Sequence, residues 1–154
     1  MVNLSKMSKE TLKFDITLSG TYWGKRPQFS IWLDEQVIQQ TEFKDQIQTV
    51  SFTRELYEGA HSLKIRLENK DQKTDTIVEN GQIVKDMLLN IDDITIDDIS
   101  LGNLLWTAEY HLDSPQEYQG KTITKLDNCV NLGWNGTYVL NFTSPFYIWL
   151  LEKL

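Results

Sequence analysis

Apolar and polar residues alternate along most of the chain, which is the pattern of strands that bury only one face. The clearest runs are residues 12–18, 29–33, 50–52, 63–67 and 138–142. No window of helical length keeps its apolar residues at a 3.6-residue spacing. The pattern therefore predicts an all-β chain, folded as an antiparallel β-sandwich that resembles a jelly roll.

Local signals refine this prediction at four places. The adjacent acids Asp92 and Asp93 shift the phase of the alternation, as a β-bulge does. Residues 104–110 alternate and are predicted to form a strand, and the apolar run 146–150 is predicted as the last strand. Asn135–Gly136 is predicted to turn a hairpin between residues 131–134 and 138–142, since this dipeptide favours tight two-residue turns.

Length and charge limit the possible functions. The chain has 154 residues, which predicts a single domain spanning residues 1–154. Its formal net charge of −7 argues against binding to nucleic acid or to an anionic membrane surface, which need clustered Lys and Arg. No run reaches the roughly 18 apolar residues that a membrane helix needs. Cys129 is the single cysteine, which excludes a disulfide within the chain and a multi-cysteine metal site.

The amino-terminal stretch MVNLSKMSKETLKF lacks the apolar run of a secretory signal. We therefore expect synthesis in the cytoplasm without a signal peptide.

The residues that usually carry catalysis are sparse. His61 and His111 lie in different segments, and neither stands in a zinc-binding spacing. The acidic pairs Asp92–Asp93 and Asp97–Asp98 each point to opposite faces if they lie on strands. Solvated strand edges, a cation site and glycosidase chemistry are the three interpretations of these pairs. The sequence as a whole predicts a protein that is not an enzyme.

Aromatic residues at polar positions are the candidate contacts with a ligand or a protein partner. Tyr22 and Trp23 lie in a predicted loop, and Trp32 occupies the polar phase of its strand. Flat rings in such positions stack on sugars or pack on proteins, although packing in the core is the competing interpretation. Three tryptophans lie in apolar runs and are predicted to belong to the core: Trp106, Trp134 and Trp149.

Three segments resemble a known family. Residues 58–69, EGAHSLKIRLEN, resemble the strand G-x-H-x-V-x-V-x-F-x-N-D of calcium-dependent xylan-binding modules. Residues 86–96, DMLLNIDDITI, are similar to the second motif of these modules, D-R-N-L-x-V-D-x-I-x-V. Residues 28–38, QFSIWLDEQVI, resemble their strand x-V-x-V-D-G-x-x-V. The resemblance covers residues 12–101, and residues 102–154 complete the sandwich.

This resemblance implies a β-jelly roll, a polysaccharide partner and calcium as a cofactor. It places a metal ligand at Asp86 in the long loop 69–86, with Asp71 beside the position of a second ligand. Lys70 stands where the family has an aspartate, and Met87–Leu88 stand where it has Arg–Asn. A site with one charged ligand binds calcium poorly, because affinity rises with the number of carboxylates.

Two segments of the last third, residues 105–111 and 132–138, resemble structural proteins of tailed-phage virions. The main hypothesis is therefore a virion surface component of decoration, neck or tail-fibre type. It would dock on other virion proteins in a multimeric assembly and contact glycans as an added role. The alternative is a free-standing calcium-dependent carbohydrate-binding module. A phage-encoded chain would be located in the virion.

Overall fold

The computed structural model describes residues 8–154, so the first seven residues of the amino-terminal stretch lie outside it. Thirteen strands are present in this range: β1 Lys9–Thr21, β2 Gln28–Leu33, β3 Gln36–Glu42, β4 Ile47–Tyr57, β5 Gly59–Leu67, β6 Ile77–Glu79, β7 Gln82–Lys85, β8 Leu88–Ile96, β9 Ile99–Ser100, β10 Glu109–Tyr118, β11 Lys121–Asp127, β12 Asn131–Leu132 and β13 Gly136–Ser144. Three short helical segments accompany them: α1 Gln72–Asp75, a 3₁₀ helix Gly102–Thr107 and α2 Phe146–Lys153. Within residues 8–154, no helix is both long and apolar enough to cross a membrane.

Two antiparallel sheets pack face to face and form the predicted β-sandwich. The first sheet has the strand order β12-β8-β1-β4, with β9 paired to β8. The second has the order β11-β10-β13-β5-β2-β3, so neighbouring strands are often distant in sequence, as in a jelly roll. A separate hairpin of β6 and β7 stands outside both sheets.

The core is made by the inward phase of each alternating strand. Leu63, Ile65 and Leu67 of β5 are fully buried, whereas Lys64 and Arg66 on the opposite face are only half-buried, as the alternation predicts. The ring centroids of Phe14 and Phe142 lie 6.2 Å apart and join the two sheets across the core. Every buried apolar side chain removes surface from water, which is the main stabilising contribution to such a fold.

The predicted bulge is present in β8. Thr17 of β1 pairs with Asp93, and the next residue, Leu18, pairs with Ile91. Asp92 is therefore the extra residue, and its carboxylate accepts a 3.0 Å hydrogen bond from the Ser19 hydroxyl. The bulge keeps the apolar residues on both sides of it in the core.

Two predicted strands of the last third are helical. Residues Gly102–Thr107 form the 3₁₀ helix, and the strand that follows begins only at Glu109. Residues Phe146–Lys153 form α2, which buries Phe146 and Trp149. A short apolar run fits a buried strand and a helix equally well, because its periodicity does not separate the two.

The hairpin predicted at Asn135–Gly136 is wrong. Strand β12 pairs with β8 in the first sheet, whereas Gly136 begins β13 in the second, so this segment crosses between the sheets. Neither residue of the pair has the positive φ that a two-residue hairpin turn requires. Glycine is needed at position 136 for close packing, because a Cβ there would clash with the carbonyl oxygen of His111.

Candidate functional site

A cleft of about 380 Å³ opens beside the segment between β5 and β8, which was predicted as a long loop and holds α1 and the β6–β7 hairpin. Its wall combines apolar side chains from β7 and β11, two aromatic residues, and polar groups from three separate parts of the chain. The lining residues are Lys70, Gln72, Thr76, Ile83, Asp86, Tyr118, Ile123, Leu126, Asn131, Gly133 and Trp134. A concave, mainly apolar surface with a few convergent polar groups is the usual form of a ligand site.

An ion pair between Lys70 and Asp86 forms the polar end of this cleft. The ammonium Nζ of Lys70 lies 2.7 Å from Oδ1 of Asp86 and 2.6 Å from the carbonyl oxygen of Gly133. The side chain of Lys70 is only 2% exposed and that of Asp86 is 19% exposed. Buried charges are tolerated when they are paired in this way, since the attraction offsets the loss of hydration.

Asp86 accepts two further hydrogen bonds on the same oxygen. The Thr76 hydroxyl donates at 2.7 Å and the backbone N–H of Met87 donates at 2.8 Å. Burial alone would raise the pKa of the Asp86 carboxyl, but the hydrogen bonds from Lys70, Thr76 and Met87 outweigh it. The pKa is therefore held below its usual range, and Asp86 is a carboxylate at neutral pH.

The segment Gly133–Asn135 is fixed at each of its three residues. The carbonyl of Gly133 accepts from Lys70 and also from the Gln72 side chain at 2.9 Å. The carbonyl of Trp134 accepts from the buried hydroxyl of Tyr110. The Asn135 side chain accepts from the backbone N–H of Lys70 and donates to its carbonyl, both at 2.8 Å. The backbone that carries the Trp134 ring is thus held before any ligand arrives.

Trp134 also lines a second, smaller hollow of about 160 Å³. The half-buried indole lines both spaces, together with Lys70 and Gln72. The remaining lining of the smaller hollow is polar: Asp113, Ser114, Gln116 and Asn135. Tyr118, which is 53% exposed, supplies the second aromatic ring of the larger cleft.

The residues present do not fit a divalent cation at Asp86. Calcium takes six to eight oxygen ligands, several of them carboxylates. Here the Lys70 ammonium is hydrogen-bonded to the carboxylate oxygen Oδ1 of Asp86. Asp71 does not contribute a ligand, because it is the amino-terminal cap of α1 and its carboxylate accepts a hydrogen bond from the Lys73 N–H at 3.0 Å. No group of three or more His, Cys, Asp or Glu side chains in residues 8–154 could hold a metal ion.

None of the aromatic residues predicted as contacts lines this cleft. Trp23 is 47% exposed, but its Nε1 donates to the carbonyl of Asp75 at 3.0 Å, and the Lys85 ammonium lies over its ring. Tyr22 is half-buried and packs against the core. Trp32 lies half-buried on the outer face of the second sheet, where its Nε1 donates to the Ser30 hydroxyl at 2.9 Å.

Of the residues predicted for the site, the structure places Asp86 in the cleft and leaves Asp71 outside its lining. Sequence reasoning missed Tyr118 and assigned Trp134 to the core. Tyr118 lies next to the Gln119–Gly120 turn in a polar stretch, which is a signal for an exposed ring. Trp106, also predicted as core, is 45% exposed, whereas the prediction for Trp149 is confirmed because it is buried.

Comparison with known proteins gives matches only through structure: no family model matches the sequence, and neither does any curated protein. A solved structure described as "vCBM60 in complex with galactobiose" matches with a TM-score of 0.53 at 10% sequence identity. The match covers 84% of this chain and 98% of that one.

A second match, with a TM-score of 0.48 at 11% identity, covers 84% of this chain and 89% of the other. It is described as "Circular permutation provides an evolutionary link between two families of calcium-dependent carbohydrate binding modules. SeMet form of vCBM60". The matches give no support to the resemblance of residues 102–154 to phage virion proteins. The resemblance to carbohydrate-binding modules, drawn from three sequence segments, is thus confirmed at the level of the fold: the chain is an all-β, jelly-roll-like sandwich.

Proposed function

We propose that this chain is a non-catalytic glycan-binding module whose ligand lies in the cleft beside Trp134. The observation that carries the proposal is the pairing of two accessible aromatic rings, Trp134 and Tyr118, with convergent polar groups in one concave site. Sugar rings present apolar faces that stack on aromatic side chains, and hydroxyl groups that need hydrogen-bond partners. The cleft offers both kinds of contact.

The polar groups of the cleft suit hydroxyl groups better than charged ones. Gln72, Thr76 and Asn131 carry amide or hydroxyl functions. The Thr76 hydroxyl already donates to Asp86 and the Gln72 amide to Gly133, so these two residues offer their oxygens mainly as acceptors, whereas the Asn131 amide can donate and accept. The one cation of the cleft, Lys70, is already paired with Asp86. Together with the net charge of −7, this favours a neutral oligosaccharide over an acidic one.

The larger cleft and the smaller hollow meet at Trp134, which favours a ligand of two or more sugar units. Galactobiose is the first ligand to test, since it is the disaccharide bound in the similar structure of vCBM60. The calcium that the sequence resemblance implies is not part of this proposal, because Lys70 neutralises the carboxylate that would have to bind it.

Calorimetric titration of galactobiose, followed by an array of neutral oligosaccharides, tests the proposal. We expect binding by the native protein and loss of binding in Trp134→Ala. Trp106→Ala is the matched control, because this tryptophan is also partly exposed and lies outside the cleft. Binding that depends equally on both residues, or on neither, would remove the cleft from the account.

Docking on a larger assembly, including a virion, is the second candidate function. One observation favours a docked module: helix α2 and the residue that follows it expose four apolar side chains, Tyr147, Ile148, Leu151 and Leu154. Exposed apolar patches of this kind commonly mark interaction surfaces. The candidate is tested by asking whether the chain is found on purified particles and whether Leu151→Glu releases it.

A further inference from the structure

We infer that the ammonium group of Lys70 takes the structural place of a divalent cation, so that this sandwich holds its cleft together without metal. The inference goes beyond glycan binding, because it concerns what organises the loops around the cleft. It applies whether or not a sugar is the ligand.

The first observation is the set of oxygens around Nζ of Lys70. A carboxylate oxygen of Asp86 lies at 2.7 Å and the carbonyl oxygen of Gly133 lies at 2.6 Å. A carboxylate combined with a backbone carbonyl is the kind of donor set that a hard cation selects. The ammonium of lysine is itself a compact point charge, so it can satisfy the same oxygens.

The second observation is that this charge joins three segments distant in sequence. Lys70 follows β5, Asp86 precedes β8, and Gly133 follows β12. The Asn135 side chain adds two hydrogen bonds to the Lys70 backbone, which fixes the lysine at its base as well as at its tip. A bound cation ties loops in the same manner, by drawing oxygens from separate segments to one centre.

The third observation is the burial of the Lys70 side chain. With only 2% of its side chain exposed, Lys70 is held with its ammonium against Oδ1 of Asp86, so a cation at that oxygen would have to displace the ammonium. A cation that displaced Lys70 would leave an unpaired buried ammonium, which is costly. The lysine therefore excludes the metal as well as substituting for it.

The test combines calcium titration of the native protein with a variant that restores an acid at this position. In the native protein, millimolar calcium or a chelator should leave the melting temperature unchanged and calorimetry should show no calcium binding. Lys70→Asp removes the ammonium and places a second carboxylate beside Asp86. An aspartate plus a metal–oxygen bond spans about the reach of the lysine side chain, so the metal would lie near the present Nζ.

We expect Lys70→Asp to melt lower than the native protein and to regain stability on addition of calcium, but not of sodium at equal ionic strength. Lys73→Asp is the control, since this exposed lysine lies three residues away in α1 and does not contact Asp86. The melting temperature of this variant should not respond to calcium. A calcium-bound native protein whose melting temperature falls on chelation would overturn the inference. A folded Lys70→Asp variant that ignores calcium would overturn it too. If that variant does not fold at all, the titration of the native protein still decides.

Discussion

The hydroxyl of Tyr110 donates a hydrogen bond to the carbonyl oxygen of Trp134, which links the buried face of β10 to the segment that carries the half-buried Trp134 indole. Tyr110 is fully buried, and burial raises the pKa of its hydroxyl far above the ordinary value, so the group stays protonated and donates. The sandwich core therefore positions a ring of the proposed binding site directly, through one side chain.

This relationship predicts a specific effect of Tyr110→Phe. Removing the hydroxyl leaves the Trp134 carbonyl without its partner, which should lower the free energy of unfolding by roughly 1–3 kcal/mol. It should also weaken glycan binding, because the indole loses one of its anchors. Tyr138→Phe is the matched control, since the buried Tyr138 hydroxyl donates to the Leu105 carbonyl at 2.6 Å, away from the cleft. Equal loss of glycan affinity in both variants would contradict a positioning role for Tyr110.

The ion pair at the cleft predicts strong coupling between Lys70 and Asp86. Lys70→Met leaves a carboxylate without its counter-charge and should cost roughly 3–5 kcal/mol of unfolding free energy. Asp86→Asn should also lower the free energy of unfolding, because it leaves the buried Lys70 ammonium without its counter-charge. The double variant removes both charges, so its cost should be clearly less than the sum of the two single costs. Additive costs in chemical denaturation would show that the two groups do not stabilise each other.

A second ion pair predicts a dependence of stability on pH. The ring of His61 lies between two acceptors, with Nδ1 at 2.8 Å from the Asp34 carboxylate and Nε2 at 2.7 Å from the Tyr57 carbonyl. Burial alone would lower the pKa of His61, but the Tyr57 carbonyl and the Asp34 carboxylate outweigh it and raise the pKa above 6.5. Both ring nitrogens can donate only in the protonated form.

Proton linkage determines whether His61 stabilises the fold more at low or at high pH. Because the folded state holds the proton more tightly, His61 stabilises the fold fully below the unfolded pKa of about 6.5. That stabilisation is lost as the pH rises through the higher folded pKa. The difference in unfolding free energy between the native protein and His61→Gln should therefore shrink from pH 5.5 to pH 9, taken as rough limits of this titration range. A difference that grows with pH would contradict the assignment, and His111→Gln serves as the exposed control.

The alternating strands were the part of the fold that the sequence predicted best, because a two-residue period marks the buried face directly. We expect Ile65→Ala, at a fully buried position, to cost roughly 2–5 kcal/mol of unfolding free energy. Lys64→Ala on the opposite face should cost about 1 kcal/mol or less, since its partner Glu35 is almost fully exposed. Equal costs in thermal or chemical denaturation would contradict the assignment of faces.

The errors of prediction have physical causes that lie outside the local pattern. Residues 146–150 form part of a helix because a short apolar run satisfies either structure and tertiary packing decides. Asn135–Gly136 signals a tight turn, yet the Asn135 side chain bonds the backbone of Lys70 and the chain crosses between sheets.

The candidate site was predictable only in part. Asp86 was identified from a motif, but its partner Lys70 was seen only as a departure from that motif. Trp134 lies 64 residues beyond Lys70, and nothing in either local pattern indicates that they line the same cleft. Contacts of this range depend on the order of strands in the sheets, which a single sequence does not display.

The central claim is tested most directly by the affinity of the native protein and of Trp134→Ala for the same neutral oligosaccharide, measured by calorimetry with Trp106→Ala alongside. Because Trp106 lies outside the cleft, the native protein and Trp106→Ala should bind with the same affinity. Trp134→Ala should lose tenfold or more in affinity, corresponding to about 1.4 kcal/mol. Unchanged affinity in a correctly folded Trp134→Ala would contradict the claim that this cleft binds the glycan.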